Sequence, residues 1–401
     1  MVVSLKDYQT LVPNQDQAPE LWDWTAAFNA LMRHNDIVTL IPPGQYFMRY
    51  PEKITKTKHI TGFGATLNML GIIQIHADNC DIVGLTLNGT GSGIRSTEHA
   101  MILENANNIR IDRCTFLNTR KNSIQFSNNG RCSWVWIEKC HFENVGYNVL
   151  DPSAHGIGIS VQNADHVRIR DCDLSDTYGQ GAIQAVRTYD LLIQDSEITR
   201  TAYRGINIYG NNVDPYDFIR DVQITNVKIR YCGEHNRTST GLATNGIFVR
   251  NPAGKVEDVK IKDCTIEYVG ENCLEGSFVA YNNTLQYSGH YSRFSTVSKE
   301  LAFLHSGAIF AHNKLAYARE EGIKIYDSRK DIMVQGNMIR ECGMSEISIH
   351  AHGDGQLIEN VNLLNNVVIH RDRVNVKPIE VLMTGGGVVR GITSENSLVI
   401  I

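Results

Sequence analysis

The chain has 401 residues, of which 42% are hydrophobic and 20% charged, and its formal net charge is −5. Lysines and arginines are scattered over this acidic background, which excludes the basic stripe of a nucleic-acid-binding protein, so we expect no nucleic-acid partner. No apolar run approaches the roughly 20 residues of a membrane-spanning helix, and we expect no membrane partner. No signal peptide precedes Lys6, which predicts synthesis in the cytoplasm and leaves release or attachment to a virion open.

Residues 1–35 precede the repeats that fill the rest of the chain. In the segment PELWDWTAAFNALMRHN, the apolar residues Leu21, Trp24, Phe28 and Leu31 recur at helical spacing. Unpaired edges of a long β-stack invite aggregation and need a cover. We therefore predict an amphipathic α-helix that caps the N-terminal end of residues 36–401.

A sequence repeat of two predicted strands recurs after this segment. The first strand reads NIRIDRCTFLNT, WVWIEKCHFENV or HVRIRDCDLSDT, and the second has the form x-Gly-Ile-x-Ile, as in RGINIYG and EGIKIYD. A small or amide residue marks each copy, at Cys114, Cys140, Cys172, Ser196, Val227, Cys264, Asn283, Asn313, Asn337 and Asn366. Repeats of roughly 30 residues that cannot bury their own apolar faces must stack on one another, which predicts a single parallel β-solenoid domain.

The marked column is predicted to face the interior. Its four cysteines then act as small apolar side chains with reduced thiols, and its asparagines form an internal hydrogen-bonded ladder. No Cys-x-x-Cys or Cys/His spacing of a metal site occurs among the nine cysteines, and no cluster of aspartates marks a calcium site. We expect no metal and no cofactor.

These repeats, with the entry segment DIVTLIPPGQYFM, resemble the right-handed parallel β-helix proteins of the pectate-lyase-like superfamily, which include phage tailspike depolymerases. The resemblance covers nearly the whole chain and implies an all-β fold: a right-handed parallel β-helix with an N-terminal capping α-helix. This fold hosts lyases, hydrolases, epimerases and inert stalks, so the reaction stays open. The resemblance to tailspikes also implies a polysaccharide partner and a homotrimer; a further C-terminal domain or a self-made lid is the alternative to the trimer.

Residues that flank the two isoleucines of the second strand are predicted to point outward, because alternate residues of a strand face opposite sides. Stacked, they make a strip of amide, ring and cationic groups, which suits the hydroxyls and faces of sugars. The alternative is a strip of tolerated, exposed strand residues. The substrate-binding candidates are His99, Asn122, Gln125, Gln184, Asn207, Asn245, Phe248, Arg250, Tyr326 and His350, with Tyr291 and Arg293 of the insertion HYSRFST at the rim. The place between the isoleucines reads Gln125, Gly158 and Gln184 in successive copies.

Candidate catalytic residues fall in two clusters. Their members are Tyr147, Asp151, His155, Asp176, Tyr178, Arg204 and Tyr209 in the first, and Glu321 and Lys324 with Glu320 in the second. We place His155 and Arg204 in one exposed column, two rungs and about 10 Å apart, where both side chains reach one sugar unit.

The residue types permit two bond-breaking reactions. β-Elimination from a uronate needs a cation for the carboxylate, a base and an acid, roles that fit Arg204, His155 or a tyrosine, and Tyr178 or Tyr209. Hydrolysis needs two carboxylates about 5 to 10 Å apart. The candidate pairs are Asp151 with Asp176, and Glu321 with Glu320 or Glu346.

The first cluster also resembles the Tyr and Asp-Pro-His site of mannuronan C5-epimerases, which implies roles for Tyr147, Asp151 and His155. The spacing differs, because two residues separate Pro152 from His155. The sequence thus predicts an enzyme that degrades a long, acidic polysaccharide, with β-elimination favoured over hydrolysis. A C5-epimerase and a non-catalytic glycan-binding module are the alternatives.

Overall fold

The computed structural model describes residues 2–19, 22–89, 99–147, 155–210, 218–235, 243–251, 255–290, 299–371 and 376–400. The chain divides into two compact units, Met1–Glu197 and Ile198–Ile401. In each unit, strands pair in parallel with the corresponding strands of the next coil, because each coil leaves an apolar face that only a neighbour can cover. Among the described residues, no helix is long and apolar enough to cross a membrane.

The N-terminal segment contains strand β1 (Val3–Ser4), a 3₁₀ helix (Leu5–Leu11) and helix α1 (Thr25–Arg33). Phe28 and Leu31 of α1 are fully buried, which confirms the predicted amphipathic helix. Trp24 precedes α1, and its ring lies 5.0 Å from that of Tyr46, edge to face. The helix therefore packs on the first coils, while Leu21 lies outside the described residues.

A buried lysine fastens the C-terminal end of α1. Only 1% of Lys58 is exposed, and its Nζ donates to the carbonyl oxygens of Leu31, His34 and Asp36 at 3.4, 2.7 and 2.8 Å. The last carbonyls of a helix lack partners within the helix, and this ammonium group supplies them. The lysine thereby ties the cap to the coil that follows it.

The remaining strands of the first unit form three parallel sheets, and the long strands β15 and β17 bend from the third sheet into the first. The first sheet contains β2, β4, β7, β10, β13, β15 and β17, the second contains β3, β5, β8, β11, β14 and β16, and the third contains β6, β9, β12, β15 and β17. Their bounds are β2 (Val38–Leu40), β3 (Gly44–Met48), β4 (His59–Thr61), β5 (Ala65–Met69), β6 (Ile73–Ile75), β7 (Cys80–Val83), β8 (Thr86–Gly89), β9 (Met101–Leu103), β10 (Asn107–Asp112), β11 (Thr115–Leu117), β12 (Ile124–Phe126), β13 (Cys132–Glu138), β14 (His141–Val145), β15 (Ile159–Arg170), β16 (Asp173–Thr177) and β17 (Gly181–Gln194).

The second unit repeats this arrangement. Its first sheet contains β20, β23, β26, β29, β32 and β35, its second contains β21, β24, β27, β30, β33 and β35, and its third contains β19, β22, β25, β28, β31, β34 and β36. The bounds are β18 (Glu197–Thr201), β19 (Arg204–Tyr209), β20 (Arg220–Thr225), β21 (Lys228–Cys232), β22 (Ile247–Arg250), β23 (Val259–Lys262), β24 (Thr265–Glu267), β25 (Leu274–Gly276), β26 (Val279–Tyr281), β27 (Thr284–Gln286), β28 (Ala302–Leu304), β29 (Ile309–Ala311), β30 (Lys314–Ala316), β31 (Ile323–Tyr326), β32 (Arg329–Gln335), β33 (Met338–Arg340), β34 (Ile347–His352), β35 (Leu357–His370), β36 (Ile379–Thr384) and β37 (Val388–Ile400).

The interior column is confirmed. All ten predicted positions are buried, and all nine cysteines are buried free thiols. In the second unit the asparagines form the expected ladder: Oδ1 of Asn313 accepts from the backbone N and from Nδ2 of Asn283, both at 2.9 Å. The same pair of bonds recurs through Asn337 and Asn366 to Asn396. Each buried amide is thereby satisfied by the next coil.

Candidate functional site

The third sheet of the first unit corrects one predicted register. Strand pairing places Ile102, Gln125, Ser160 and Gln184 in one outward column, where the sequence predicted Gly158 in place of Ser160. The segment HGIGIS offers two Gly-Ile pairs, and the strand uses the second one. His155 therefore lies two residues before the column in which we predicted it.

A cavity of about 540 Å³ opens on this face. Its lining includes His99, Glu104, Gln125, His155, Gln162 and Gln184, so four predicted residues do meet in the first unit. The rings of His99 and His155 lie 6.1 Å apart, edge to face. Burial, with the charges of Lys121 and His155, lowers the pKa of His99 to about 4, which keeps its imidazole neutral at physiological pH.

Other candidates of the first unit have structural partners. Asn122 is buried; its Oδ1 accepts from the backbone N of Ile157 at 2.9 Å, and its Nδ2 donates to Gln125 at 2.6 Å. Asp176 occupies the position equivalent to Asn144 on the next coil, and its backbone is left-handed, with φ of 53°. The rings of Tyr147 and Tyr178 lie 5.5 Å apart. Asp151, Tyr291 and Arg293 lie outside the described residues.

The third sheet of the second unit contains two rungs that the sequence pattern missed. Strands β25 and β28 come between β22 and β31, and their register places Phe248, Glu275 and Phe303 in one outward column. Lys324 continues it. The segments NCLEG and ELAFL lack the Gly-Ile pair, so the sequence pattern does not predict them as strands of this sheet. They bring Glu275 into this sheet and Glu300 against Lys324 of the second predicted cluster.

Arg204 is buried, which corrects its prediction as an exposed residue. Only 6% of it is exposed, and its guanidinium carbon lies 4.4 Å from the centre of the Phe248 ring. Burial lowers the pKa of Arg204 to about 10, and the charges of Glu275 and Glu271 act in the opposite direction. Arg204 is in the second unit and His155 in the first.

The carboxylate of Glu275 in this column accepts hydrogen bonds from two amide side chains. Its Oε2 accepts from Nδ2 of Asn245 at 2.7 Å and from Nδ2 of Asn272 at 3.0 Å, while part of the side chain stays exposed. Burial raises its pKa, and the two amide donors and the charge of Arg204 oppose that rise. Asn245 thus orients a carboxylate, a role that the sequence did not suggest.

Glu271 has a different environment four residues earlier. Burial and then the charge of Glu275 raise the pKa of Glu271 to about 7, and Arg204 opposes the shift. A carboxyl with this pKa is largely protonated at slightly acid pH. Glu271 and Glu275 therefore form a pair in which one group tends to carry a proton and the other is held by donors. The sequence signal that was available, Glu-x-x-x-Glu with its second glutamate in a three-residue strand, was too weak to find them.

The second predicted cluster is neutralised internally. Nζ of Lys324 lies 2.7 Å from the buried Glu300 and 3.6 Å from Glu321. Burial raises the pKa of Glu300 to about 7, and the charge of Lys324 opposes that rise. Oxygens of Glu300, Glu320 and Glu321 lie within 4.8 Å of one another, a spacing suited to a metal ion. Lys324 and Lys299, which lies 3.4 Å from Glu320, already place two ammonium groups against these carboxylates.

The remaining candidates of the second unit flank these groups. Arg250 donates from Nη1 to the hydroxyl of Tyr209 at 3.2 Å, and the rings of Tyr326 and His350 lie 5.2 Å apart. Asn207 is fully buried, and among the described residues neither of its amide atoms has a hydrogen-bond partner. The hydrolysis candidate Glu346 is buried and its Oε2 lies 2.6 Å from Nδ1 of His370, which makes it an internal pair.

Comparison with known proteins supports the fold. A family model described as "Right handed beta helix region" matches residues 70–228. The fold is a right-handed parallel β-helix. No curated protein matches the chain by sequence.

Solved structures of this fold span the chain at low identity. The surface adhesin PfbA of Streptococcus pneumoniae has a TM-score of 0.54 at 12% identity, covering 100% of this chain and 91% of its own. The tailspike protein of E. coli bacteriophage HK620 in complex with pentasaccharide has 0.61 at 13%, covering 96% and 78%. The A-module of the Azotobacter vinelandii mannuronan C-5 epimerase AlgE6 has 0.58 at 12%, covering 100% and 99%. These likenesses establish the architecture, and function has to be argued from the site.

Proposed function

We propose that the protein is a glycoside hydrolase that cleaves a polysaccharide on the third sheet of its second unit. Glu271 is the general acid in this proposal, and Glu275 is the carboxylate that acts on the sugar carbon or on the attacking water. The observation that carries the proposal is the contrast between two neighbouring carboxyl groups: burial raises the pKa of Glu271 to about 7, whereas two amide donors oppose the rise that burial causes in the pKa of Glu275.

Glycoside hydrolysis needs this contrast. One carboxylic acid must deliver a proton to the leaving oxygen while a second group stays ionised, and environments that separate two carboxyl pKa values assign these roles. The charge of Glu275 raises the pKa of Glu271, so ionisation of Glu275 helps Glu271 to keep its proton. The charge of Arg204 opposes the rise in the pKa of both glutamates.

β-Elimination, which the sequence favoured, is less well supported. It needs a cation directed at the substrate carboxylate. Arg204 is buried beneath Phe248 with two glutamates beside it, and Lys324 already pairs with Glu300. Among the described residues that line the cavity near His99 there is no lysine or arginine.

The neighbouring side chains suit a sugar chain. Phe248 and Phe303 are half-buried on either side of Glu275 in the outward column, and aromatic rings pack on the apolar faces of sugars. Adjacent rungs are about 4.8 Å apart, so three rungs span roughly 10 Å, about the length of two sugar units. An acidic polymer as substrate, which the residue types of the first cluster suggested, and a trimeric assembly, which the resemblance to tailspikes implied, remain proposals.

The test is a panel of neutral and acidic polysaccharides, each assayed for new reducing ends and for the ultraviolet absorbance of unsaturated uronates. Hydrolysis predicts reducing ends without unsaturated products on at least one polymer. Unsaturated products would replace this proposal with β-elimination. Binding without any cleavage across the panel would favour a non-catalytic glycan-binding protein.

A further inference from the structure

A ladder of tyrosines crosses four coils of the second unit, away from the outward column of Glu275. The rings of Tyr231, Tyr268, Tyr287 and Tyr317 stack in sequence, with centroids 5.3, 4.5 and 4.8 Å apart and interplanar angles of 17°, 5° and 6°. The rings are half-buried, because each covers the face of the next. Edges and phenol groups remain at the surface.

The turn itself does not require tyrosine. All four residues have left-handed backbone conformations, with φ between 56° and 63°, a region that asparagine adopts more readily than tyrosine. In the first unit, Asn118 and Asn144 occupy the same place, four residues after the interior column, and they join side chain to side chain at 2.6 Å. Asparagine would serve the fold here, so the tyrosines point to a role beyond the turn.

A cavity of about 540 Å³ opens at the end of this ladder. Its lining includes Tyr287, His290, Tyr317, Arg319, Glu341 and Arg371. The floor lies close to the proposed catalytic pair, since the backbone N of Gly289 donates to the carbonyl of Glu271 at 3.2 Å. Gly289 has φ of 71°, and a Cβ there would come within 2.7 Å of Cβ of Arg319, so the close approach needs glycine.

The cavity is cationic although the chain as a whole is acidic. Arg319 and Arg371 line it, and the guanidinium of Arg340 lies 5.7 Å from the centre of the Tyr317 ring. Glu341 is the acidic group of the lining; Nη2 of Arg371 lies 3.1 Å and Nη1 of Arg340 3.9 Å from its carboxylate. Two guanidinium groups therefore lie beside this carboxylate, and the third, that of Arg319, donates from Nη1 to the carbonyl of Gly289 at 3.3 Å.

We propose that this cavity and the tyrosine ladder bind an anionic oligosaccharide, a segment with carboxylate or sulfate groups. Guanidinium groups bind such groups through paired, charge-assisted hydrogen bonds, and phenol groups exchange hydrogen bonds with sugar hydroxyls. The proposal goes beyond hydrolysis, because binding here does not depend on the reaction at Glu271 and Glu275. It adds an anionic substrate class and a second contact that holds the polymer.

The experiment measures binding on a Glu275→Gln background, so that the ligand is not consumed. Fragments of polygalacturonate and of chondroitin sulfate are the anionic probes, dextran fragments are the neutral probe and poly-glutamate is the acidic peptide probe. Calorimetry gives Kd for the background protein, for Arg319→Gln/Arg371→Gln and for Tyr317→Asn. Arg390→Gln is the matched control, because Arg390 makes a similar exposed pair with Glu359 at 2.7 Å outside the cavity.

We expect at least one anionic fragment to bind, and its Kd to rise about tenfold or more in the double arginine variant, with a smaller rise in Tyr317→Asn and none in Arg390→Gln. Asparagine suits the left-handed turn, so Tyr317→Asn remains informative if the arginine variant fails to fold. No binding of either anionic fragment, equal binding of dextran or poly-glutamate, or equal losses in Arg390→Gln would overturn the proposal. Cleavage is measured in a separate assay, as reducing ends released by the protein with Glu275 intact. The measured Kd values therefore test binding at the cavity even if the hydrolase proposal fails.

Discussion

The guanidinium of Arg204 lies 4.4 Å from the centre of the Phe248 ring, in a site where only 6% of the arginine is exposed. The charges of Glu271 and Glu275 oppose the desolvation of this cation. A buried cation needs nearby anions, and the buried glutamates need the cation in turn. Arg204 thus stabilises the site and holds the pKa of each carboxyl lower than burial alone would leave it.

Replacing Arg204 with methionine should destabilise the protein by about 3 kcal/mol, because the change leaves the buried Glu271 and the mostly buried Glu275 without their cation. It should also raise the pKa of Glu271 further. Arg250→Met is the matched control, since Arg250 is exposed and contacts Tyr209 at the surface. Urea unfolding of the two variants measures the difference; equal stabilities would contradict the buried position of Arg204.

Lys58→Met should cost about 2 kcal/mol, since three carbonyl oxygens at the end of α1 lose their buried donor. Lys56→Met is the control. Lys56 also donates to a carbonyl of the same region, that of Arg33 at 2.8 Å, but it does so from the surface. Thermal unfolding should separate the two variants clearly. A loss no larger than that of Lys56→Met would show that Lys58 does not fasten the helix.

Asn313→Ala should destabilise the second unit by about 2 to 4 kcal/mol, because it opens a cavity and leaves buried groups of two adjacent coils without partners. The exposed Asn107 of the first unit bonds to Asp78 at 3.1 Å, so Asn107→Ala should change stability by less than about 0.5 kcal/mol. Denaturant unfolding measures both. The buried asparagine ladder predicts unequal losses, and equal ones would argue against it.

His99 should make the protein sensitive to acid. Its pKa is about 4 in the folded chain, below its ordinary value of 6.5, so between these values the unfolded chain holds a proton that the folded chain lacks. Stability is therefore lost as pH falls from about 6.5 to 4, by an amount on the order of 3 kcal/mol. Unfolding curves of His99→Gln across this range should show a smaller loss. The exposed His312→Gln should keep the full pH dependence, and identical behaviour of the two variants would refute the assignment.

The fold was predictable because the same physical constraint recurs in every coil. A strand that faces the interior needs a small or amide residue at a fixed place, so Cys114 and Asn313 could be identified from their spacing alone. The helix at Thr25–Arg33 could be found because Phe28 and Leu31 repeat at helical spacing. The 3₁₀ helix at Leu5–Leu11 has no such repeat to find.

The candidate site was only partly predictable. Gln125, Gln184, His99 and His155 meet at one cavity as outward residues should. Glu271 and Glu275 escaped notice because β25, which contains Glu275 and follows Glu271, reads Leu-Glu-Gly and breaks the sequence pattern. Burial could not be read from position either: an outward place predicts exposure, yet Phe248 covers Arg204. Long side chains on neighbouring rungs determine such burial, and the pattern of one strand does not contain it.

The most direct measurement of the central claim compares Glu275→Gln and Glu271→Gln with the parent protein on whichever polysaccharide of the panel yields reducing ends. Loss of either carboxyl should lower the rate by about 10²-fold or more. The parent rate should fall as pH rises above about 7, where Glu271 loses its proton, and Glu271→Gln should lose that limb of the profile. Glu359→Gln, at a half-buried carboxylate on another sheet of the same unit, should keep full activity. Retention of the parent rate by Glu275→Gln, or the appearance of unsaturated products, would contradict the account.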